Sequence, residues 1–408
     1  MILTVVILLF GAGIRLTSIR PPNRTPDERM YTGVCKGLYD FGPRFMGMLI
    51  QTCWEGRGLS PEYPFPTRIG YYWLVTTAMI VTGETSADVA AAVSTGASLI
   101  VLVLTAWLGL RYLGTWTTVL ALLFLATSPL DLAIARRAWQ DEVVAMFSLV
   151  MVHAYIRAVA RPERAGWPIA FFLVGAYALT IKETAILALG AGTVGMLIAA
   201  RGSDHPARSA AWVLVGSVLA TSVAGAWILL GSGGIESLRK SWELWKLVSV
   251  PNDYMRRYQM GGPGYYAIGL YILNATPFAL GLAGAAALAV RARFIRSRWS
   301  HPGAAPLLAW LAWLVLSYGL VACVAPQKNM RFLSIIVVPT FVLAASLVRA
   351  SLAALKERIP ARVYRAVSVA VATGLVASAA ADLARFHHWF IVRGIPDLAT
   401  PWFTGGGG

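Results

Sequence analysis

Long apolar runs, interrupted by short clusters of charge, organise this 408-residue chain. They lie at about 2–19, 87–110, 115–130, 142–160, 167–181, 184–200, 209–230, 264–290, 305–324, 332–349 and 366–383. Most reach the roughly 17–25 residues that carry a helix across about 30 Å of hydrocarbon. The runs are continuous rather than alternating, which fits helices and excludes a closed barrel. The pattern predicts an all-α polytopic membrane protein with about eleven spans, within a range of roughly ten to thirteen, forming a single transmembrane domain over 1–408. One more apolar stretch, 71–83, is too short to cross comfortably. It opens on "YYW", which suits the headgroup level, so it is expected as an interfacial or re-entrant helix.

Charge orients the spans. If 71–83 does not cross, one face collects Arg111; Arg157, Arg161 and Arg164; Arg201 and Arg208; "RARFIRSR"; and "KERIPARVYR". That is the positive-inside pattern. The opposite, extracytoplasmic face then carries a first large loop, 20–86, and a second, 231–263, together with 131–141, Lys182–Glu183, 325–331 and the tail. The first span argues weakly against this, because Arg15 and Arg20 fall at its outer end. A loop as long as 20–86 exceeds a plain connector, which points to function.

Composition agrees with the membrane reading. Apolar residues make up 57% of the chain and charged residues 13%, against about 25% charged in soluble proteins. The net charge of +16 is scattered over many loops. It therefore fits membrane orientation and anionic headgroups, and no nucleic-acid partner is expected. The N-terminus lacks a basic n-region and an A-x-A-like site, so no cleaved leader is expected. No soluble domain is expected after the last span, and the chain ends in "GGGG". Cys323 falls in an apolar run. Cys35 and Cys53 share the first outer loop and could pair in an oxidising compartment. No Cys/His metal framework is present.

The outer face breaks the positive-inside rule in short loops, where the rule should be strongest. "RRAWQDE" runs from Arg136 to Glu142, Lys182–Glu183 joins two helices, and "PQKNMRF" runs from Pro326 to Phe332. Ionisable groups at the bilayer are costly and mark functional sites by default. Lys and Arg at this depth suit a phosphate. A carboxylate beside it can take a proton from a hydroxyl, and cations opposite can stabilise a leaving phosphate. Such chemistry would transfer a sugar from a polyprenyl-phosphate donor.

The ordered set "PDExxxY" after the first span, "YPFPTRIGYYW", "SPLDLAIARRAWQDEVVAMF", "TIKETA" and "QKNMRFLSIIVVP" resembles the integral-membrane C-type (GT-C) glycosyltransferases. Within them it is most similar to the protein O-mannosyltransferase and aminoarabinose transferase group (glycosyltransferase families 39 and 83) and its shorter bacterial and archaeal relatives. The resemblance covers most of the chain to about residue 340. It implies the GT-C fold and one glycosyltransferase domain. The implied reaction moves one sugar from a polyprenyl-phosphate donor to an acceptor protein, glycolipid or polysaccharide, with inversion. Asp27 matches the essential first-loop acid, which would act as general base or orient the acceptor hydroxyl; Glu28, its neighbour, is the second catalytic candidate, to tune the charge or touch a metal; and Tyr31 matches the following aromatic. Arg68 is the nearest match to the donor-phosphate base, although the usual Lys-Pro or His-Pro-Pro is missing. Arg136, Arg137, Asp141 and Glu142 match the second-loop motif, and Lys328 and Arg331 a late basic motif for lipid phosphate. Lys182 joins Arg68, Arg137, Lys328 and Arg331 as a donor-phosphate candidate, with Tyr31, Asp141 and Glu142 lining the cleft. There is no "WWDYG"-like signature, and the 231–263 loop is too short for an added sugar-binding domain. Both points favour a single-sugar transferase.

Structural readings stand beside these. "TPDE" is a capping box with Pro at the first helical position, a role compatible with catalysis. Asp141 and Glu142 open a helix, where acids favour the dipole. Lys182–Glu183 could be a snorkelling ion pair, and Lys328 and Arg331 could hold ordinary anionic membrane lipids. Trp242 and Trp245 read as interfacial anchors before sugar platforms, and His387–His388 as part of an amphipathic segment before a metal site. No cofactor is certain, and a divalent cation at the carboxylates stays open. The competing function is a transporter or flippase of lipid or lipid-linked sugar, which would also place charge in a membrane cavity. Transporters, however, favour inverted repeats and midplane sites, and neither is evident here.

Overall fold

A computed structural model describes residues 2–17, 24–56, 66–248, 253–262, 264–295, 304–324 and 327–404. The fold is all-α. In chain order the helices are α1 (Ile2–Leu16), α2 (Pro26–Phe41), α3 (Arg44–Glu55), α4 (Ile69–Thr82), α5 (Ala87–Tyr112), α6 (Thr115–Thr127), α7 (Pro129–Ala135) and α8 (Asp141–Ala160). They continue with α9 (Gly166–Ile181), α10 (Ala185–Arg201), α11 (Pro206–Gly231), α12 (Ile235–Val248), α13 (Gly264–Ile295), α14 (Ala304–Val324), α15 (Ser334–Lys356) and α16 (Ala361–Phe386). Every expected span has a helix. Among the described residues six helices are long and apolar enough to cross a membrane, or seven spans if the bent pair α6–α7 counts as one. Length alone does not establish eleven, because α1, α9, α10 and the apolar part of α14 are shorter. Helix α4, with 14 residues, would be about 21 Å long at 1.5 Å per residue. The side chains of "RARFIRSR", together with Arg20, 63–65, Pro326, the Cys323 side chain and the terminal glycines, lie outside the described residues.

The helices form two compact units, each assembled from separate stretches of chain. One contains Pro21–Ser98 and Ile134–Met260. In it α9 packs against α8 and α11, α2 lies on α4, and α3 lies on α12. The stretches 20–86 and 231–263 therefore contain helices of their own. The first turn of α4 meets the end of α9 through Gly70, where a Cβ would come within 2.2 Å of the Thr180 hydroxyl and 3.1 Å of its backbone carbonyl carbon. A larger residue there would push Arg68 away from the Lys182–Glu183 turn.

The other unit contains Met1–Arg20, Leu99–Ala133 and Gly261–Gly408. Among its described helices two breaks stand out, and polar side chains meet at each. Helices α6 and α7 meet at 61°. Pro129 has no N–H to give the Leu125 carbonyl one turn back. Arg15 of α1 donates to that carbonyl at 3.1 Å, to Gly11 O at 3.0 Å, and to Asp131 in a buried ion pair. Arg15, read from sequence as an outer-face charge, is thus only 3% exposed and belongs to the core. The Ser128 hydroxyl accepts from Asp131 N at 3.2 Å and donates to Asn274 Oδ1 at 3.1 Å. Asn274 is the second break. It leaves helical geometry (φ −143°, ψ 47°) three residues before Pro277 in α13, and its amide donates to Asp382 at 3.4 Å. Unsatisfied backbone groups are expensive in a bilayer, and at the first bend Arg15 satisfies the carbonyl that Pro129 leaves free.

Removing one partner of a buried ion pair strands the other, a loss of about 3–5 kcal/mol. Arg15→Met should therefore lower the melting temperature in detergent sharply. Arg15→Met with Asp131→Leu should recover much of the loss, and a double variant no better than the single would show that the pair is not what holds the bend.

Candidate functional site

The motif "TPDE" folds as its sequence implies. Thr25 caps α2, Pro26 takes its first turn, and the capping box closes in both directions: Glu28 N donates to Thr25 Oγ1 at 3.3 Å and Thr25 N donates to Glu28 Oε2 at 2.9 Å. Glu28 then does more than cap. It is wholly buried and accepts from Arg137 at 2.8 Å, from Ala138 N at 3.1 Å and from Arg24 at 3.0 Å. Burial alone would raise its pKa. The Arg137 charge and the N–H groups of Thr25 and Ala138 outweigh that and hold it below the ordinary carboxylate range. Arg24 reaches on to Asp88 at the start of α5. One carboxylate therefore ties α2 to the 136–140 turn.

Successive helical residues point about 100° apart. While Glu28 faces inward, Asp27 is only half-buried, and its negative charge acts on Arg68. One turn further along α2, Tyr31 is 1% exposed, and its hydroxyl accepts from Arg68 and, at 3.2 Å, from Gln140. Its ring lies 5.9 and 6.2 Å from those of Tyr71 and Tyr72. Arg68 Nε also lies 3.5 Å from Glu183, which accepts from the Thr67 hydroxyl at 2.5 Å. Burial would lower the Arg68 pKa, but Glu183, Tyr31, Tyr72 and Asp27 reverse this and keep it firmly protonated. At Glu183 burial would raise the pKa, and Arg68 with the Thr67 hydroxyl brings it down to about 2.

The second-loop motif closes the same site. Lys182 and Asp141 form a buried ion pair, and Asp141 Oδ2 has no hydrogen-bond partner. Glu142 beside it is 1% exposed. Ser94 of α5 donates to Trp139 O at 2.6 Å and Thr95 to Ala135 O at 2.9 Å, which fixes the turn before α8. Arg137 lies over the Trp139 ring, 5.6 Å from its centre. Burial first, then the Arg137 charge, pushes Arg136 down to about 10. Asp27, Glu28, Tyr31, Arg68, Arg137, Asp141, Glu142 and Lys182 thus belong to one unit, where the segments around 24–31, 136–142 and 182–183 are linked by ion pairs and hydrogen bonds.

Lys328 and Arg331 belong to the other unit. Lys328 is 1% exposed, donates to Ala322 O at 3.1 Å and sits 5.7 Å from the Tyr266 ring centre. Arg331 is half-buried. Sequence reasoning passed over Gln140, Thr67, Tyr72 and the anchoring role of Arg24. Gln140 lay inside a quoted motif, but nothing in its spacing marked its target.

A metal fits poorly. Among the described residues no group of three or more His, Cys, Asp or Glu comes together. Glu28, Asp141 and Glu183 each face a cation of the chain instead. Cys35 and Cys53 are separate free thiols. Trp242 and Trp245 of α12 stack with ring centres 4.9 Å apart, both exposed.

Residues 66–228 match the dolichyl-phosphate-mannose-protein mannosyltransferase family. Comparison with curated protein sequences finds no match. Among solved structures, the chain is similar to the archaeal oligosaccharyltransferase AglB from Archaeoglobus fulgidus, determined with an inhibitory peptide and a dolichol-phosphate. That similarity has a TM-score of 0.61 and 11% identity and covers 97% of this chain. The chain spans little more than half of that protein, 56% of its length. It is also similar to ArnT from Cupriavidus metallidurans in the apo state (TM-score 0.56, 14% identity, 98% of this chain and 75% of that one). With ArnT bound to undecaprenyl phosphate the TM-score is 0.54, at 14% identity over 99% and 77%. The chain is a multi-pass membrane protein with the GT-C glycosyltransferase fold, and it resembles the mannosyl- and aminoarabinosyltransferases that carry that fold.

Proposed function

We propose that this protein transfers a single sugar from a polyprenyl-phosphate donor to an acceptor on the extracytoplasmic face, with Asp27 as general base. The observation that carries the reading is the split between two adjacent acids. Glu28 is consumed by Arg137, Ala138 and its own cap, whereas Asp27 stays half-buried in the field of Arg68. The similarity to structures determined with dolichol-phosphate and undecaprenyl phosphate supports the donor class.

In this reading the Asp27 carboxylate accepts the acceptor's hydroxyl proton as its oxygen attacks the anomeric carbon. The bond from that carbon to the phosphate oxygen breaks, and polyprenyl phosphate leaves with the electron pair. A single displacement inverts the centre. Arg68 and Lys182 are the cations placed to meet the developing phosphate charge, and Tyr31 and Gln140 hold Arg68 in line. Asp141, Glu142 and the aromatic cluster line the cleft. Glu28 acts as a positioning residue for α2. The chain's own acids and bases carry each of these steps.

Asp27→Asn should cut turnover by about 10²–10⁴-fold while leaving the fold and donor binding intact. Release of polyprenyl phosphate from a panel of polyprenyl-phosphate sugars, followed by mass spectrometry with membrane extract as acceptor, reads this directly. A parent protein that binds these lipids without ever cleaving them would move the flippase reading ahead.

Glu28→Gln should instead strike the fold, because it strands buried Arg137. The pH dependence has a definite sign. A carboxylate whose folded pKa is lowered stabilises the protein above the unfolded value of about 4.3 and loses that contribution as pH falls through the folded value. The parent should therefore lose melting temperature below about pH 4 by more than Glu28→Gln does. Parallel acid profiles for the two proteins would exclude the ion pair as the anchor.

A further inference from the structure

Helix α12 leaves an apolar flank exposed. Successive helical residues point about 100° apart, which sorts its side chains into sectors. Ser241 and Leu244 are buried, and Lys240 beside them donates to Gln51 of α3 at 2.7 Å, so this sector faces α3. Ile235, Trp242 and Trp245 are exposed. With Arg239 and Lys246 they share an arc of about 120° on another side. Glu236 and Glu243 fall further round and reach back to Arg239 at 3.9 Å and to Lys246 at 2.9 Å. The flank is therefore apolar and edged by cations, with the acids behind them.

The neighbouring helix sets the level of this flank. Helix α11 is long and apolar enough to cross a membrane, only 22% of its most apolar stretch is buried, and Trp227 and Leu230 are exposed near its end. Ser232, Gly233 and Gly234 alone separate it from α12, so Ile235 lies within about 14 Å of the end of α11. The turn is tightly made. Gly234 N donates to Leu229 O at 2.9 Å, and the Ser232 hydroxyl donates to the same oxygen at 3.0 Å. Gly233 (φ +89°) and Gly234 (φ +107°) take backbone angles that favour glycine. A Cβ on Gly233 would lie 3.0 Å from Gly47 Cα of α3. The turn and α3 together fix the direction in which α12 leaves. From Ile235 to Trp245 the flank runs about 15 Å, and a membrane surface covers it end to end when the helix lies in the surface plane.

The side chains suit that place. Trp242 and Trp245 stack with an interplanar angle of 21°, and Lys246 Nζ lies 5.8 Å from the Trp242 ring centre. Indoles collect at the headgroup level. Lys and Arg lay their stems along apolar surface and keep their charged heads in the polar layer. Rings stacked on each other have each given up one face, which leaves less aromatic surface for a sugar. We infer that α12 lies in the headgroup layer of the protein's own bilayer and binds anionic phospholipid there. Trp242 and Trp245 sit at the acyl boundary, and Arg239 and Lys246 meet the lipid phosphates. This goes beyond the sugar transfer proposed above and does not rest on it.

The test uses the full chain in nanodiscs. The chain has 15 tryptophans, so the signal is the fluorescence of the parent minus that of Trp242→Phe with Trp245→Phe, which isolates the pair. The quenchers are phosphatidylcholine and phosphatidylglycerol brominated near the headgroup end of the acyl chain, and acrylamide from the water side. Brominated lipid should quench most of this difference signal and acrylamide little of it. Brominated phosphatidylglycerol should quench at least about twofold more than brominated phosphatidylcholine at the same mole fraction, because two cations edge the flank. Arg239→Gln with Lys246→Gln should make the two lipids equal. Equal quenching by the two lipids in the parent overturns the anionic assignment. A pair reached by acrylamide and not by brominated lipid stands in water, which overturns the docking. Shielding from acrylamide by an added soluble oligosaccharide would reveal a sugar platform instead. A pair reached by neither quencher is covered by protein, as in a second copy of this chain, and the inference falls. If the double variant does not fold, Trp245→Phe alone gives the difference signal and the same readings apply.

Discussion

The buried ion pair between Glu28 and Arg137 is the constraint on which the site depends. Its partners come from loops more than a hundred residues apart, and it has no apolar substitute that would also close a capping box. Because Glu28 anchors the first turn of α2, it fixes the rotation of that helix. The rotation leaves Asp27 half-buried in the field of Arg68 and sets the Tyr31 hydroxyl against Arg68. Because Arg137 is the other partner, the same bond fixes the turn that leads into α8, and with it Asp141 against Lys182. Placing such a pair at a membrane surface is costly unless each lone pair and proton is used. Here Glu28 accepts from two arginines and two backbone N–H groups.

The same logic recurs in the other unit. Its helices bend at Ser128 and Asn274 because prolines follow, and each bend frees backbone or side-chain polarity in an apolar setting. Arg15, Asp131, Ser128, Asn274 and Asp382 use one another to remain satisfied. Buried charge in this chain therefore has two meanings. Some of it repairs helices, and some of it lines a site. Only the geometry separates them. Arg15 therefore belongs to the repair of a bent helix and not to the charged loops.

Much of this was legible in the sequence. Continuous apolar runs located the helices, since a span must be both long and apolar. "TPDE" announced its own cap, because residue type and spacing define that motif fully. The ordered acidic and basic loops pointed to one site, and three of them do meet in one unit. Other features were illegible for physical reasons. Helix α7 continues past the expected end of a span, because Ser128 and Pro129 restart a helix where composition suggested a loop. The Gln140–Tyr31 contact joins residues far apart in sequence and leaves no periodic trace. The burial of Asp397 and Thr400 was hidden because a short polar tail after a last span reads as solvent-exposed. Only the close approach allowed by Gly269 of α13, where a Cβ would lie 2.8 Å from Thr400 Oγ1, shows otherwise.

Adjacent acids in a sequence invite the idea of a carboxylate dyad, two groups sharing one substrate. The helix geometry opposes it. Neighbours on a helix diverge by about 100°, so an Asp–Glu pair on α2 cannot present both oxygens to one small region while Glu28 is held inward by Arg137. A reaction that needs one base and a cationic receiver for the leaving group can be built from one outward acid and the arginine beside it. A reaction needing an acid and a nucleophile on opposite sides of a sugar cannot be built from this pair. Displacement from a polyprenyl phosphate is of the first kind, because phosphate leaves as an anion and needs charge stabilisation more than it needs a proton. In the proposed reaction the inward-held Glu28 would leave Asp27 as the one base that a single displacement requires.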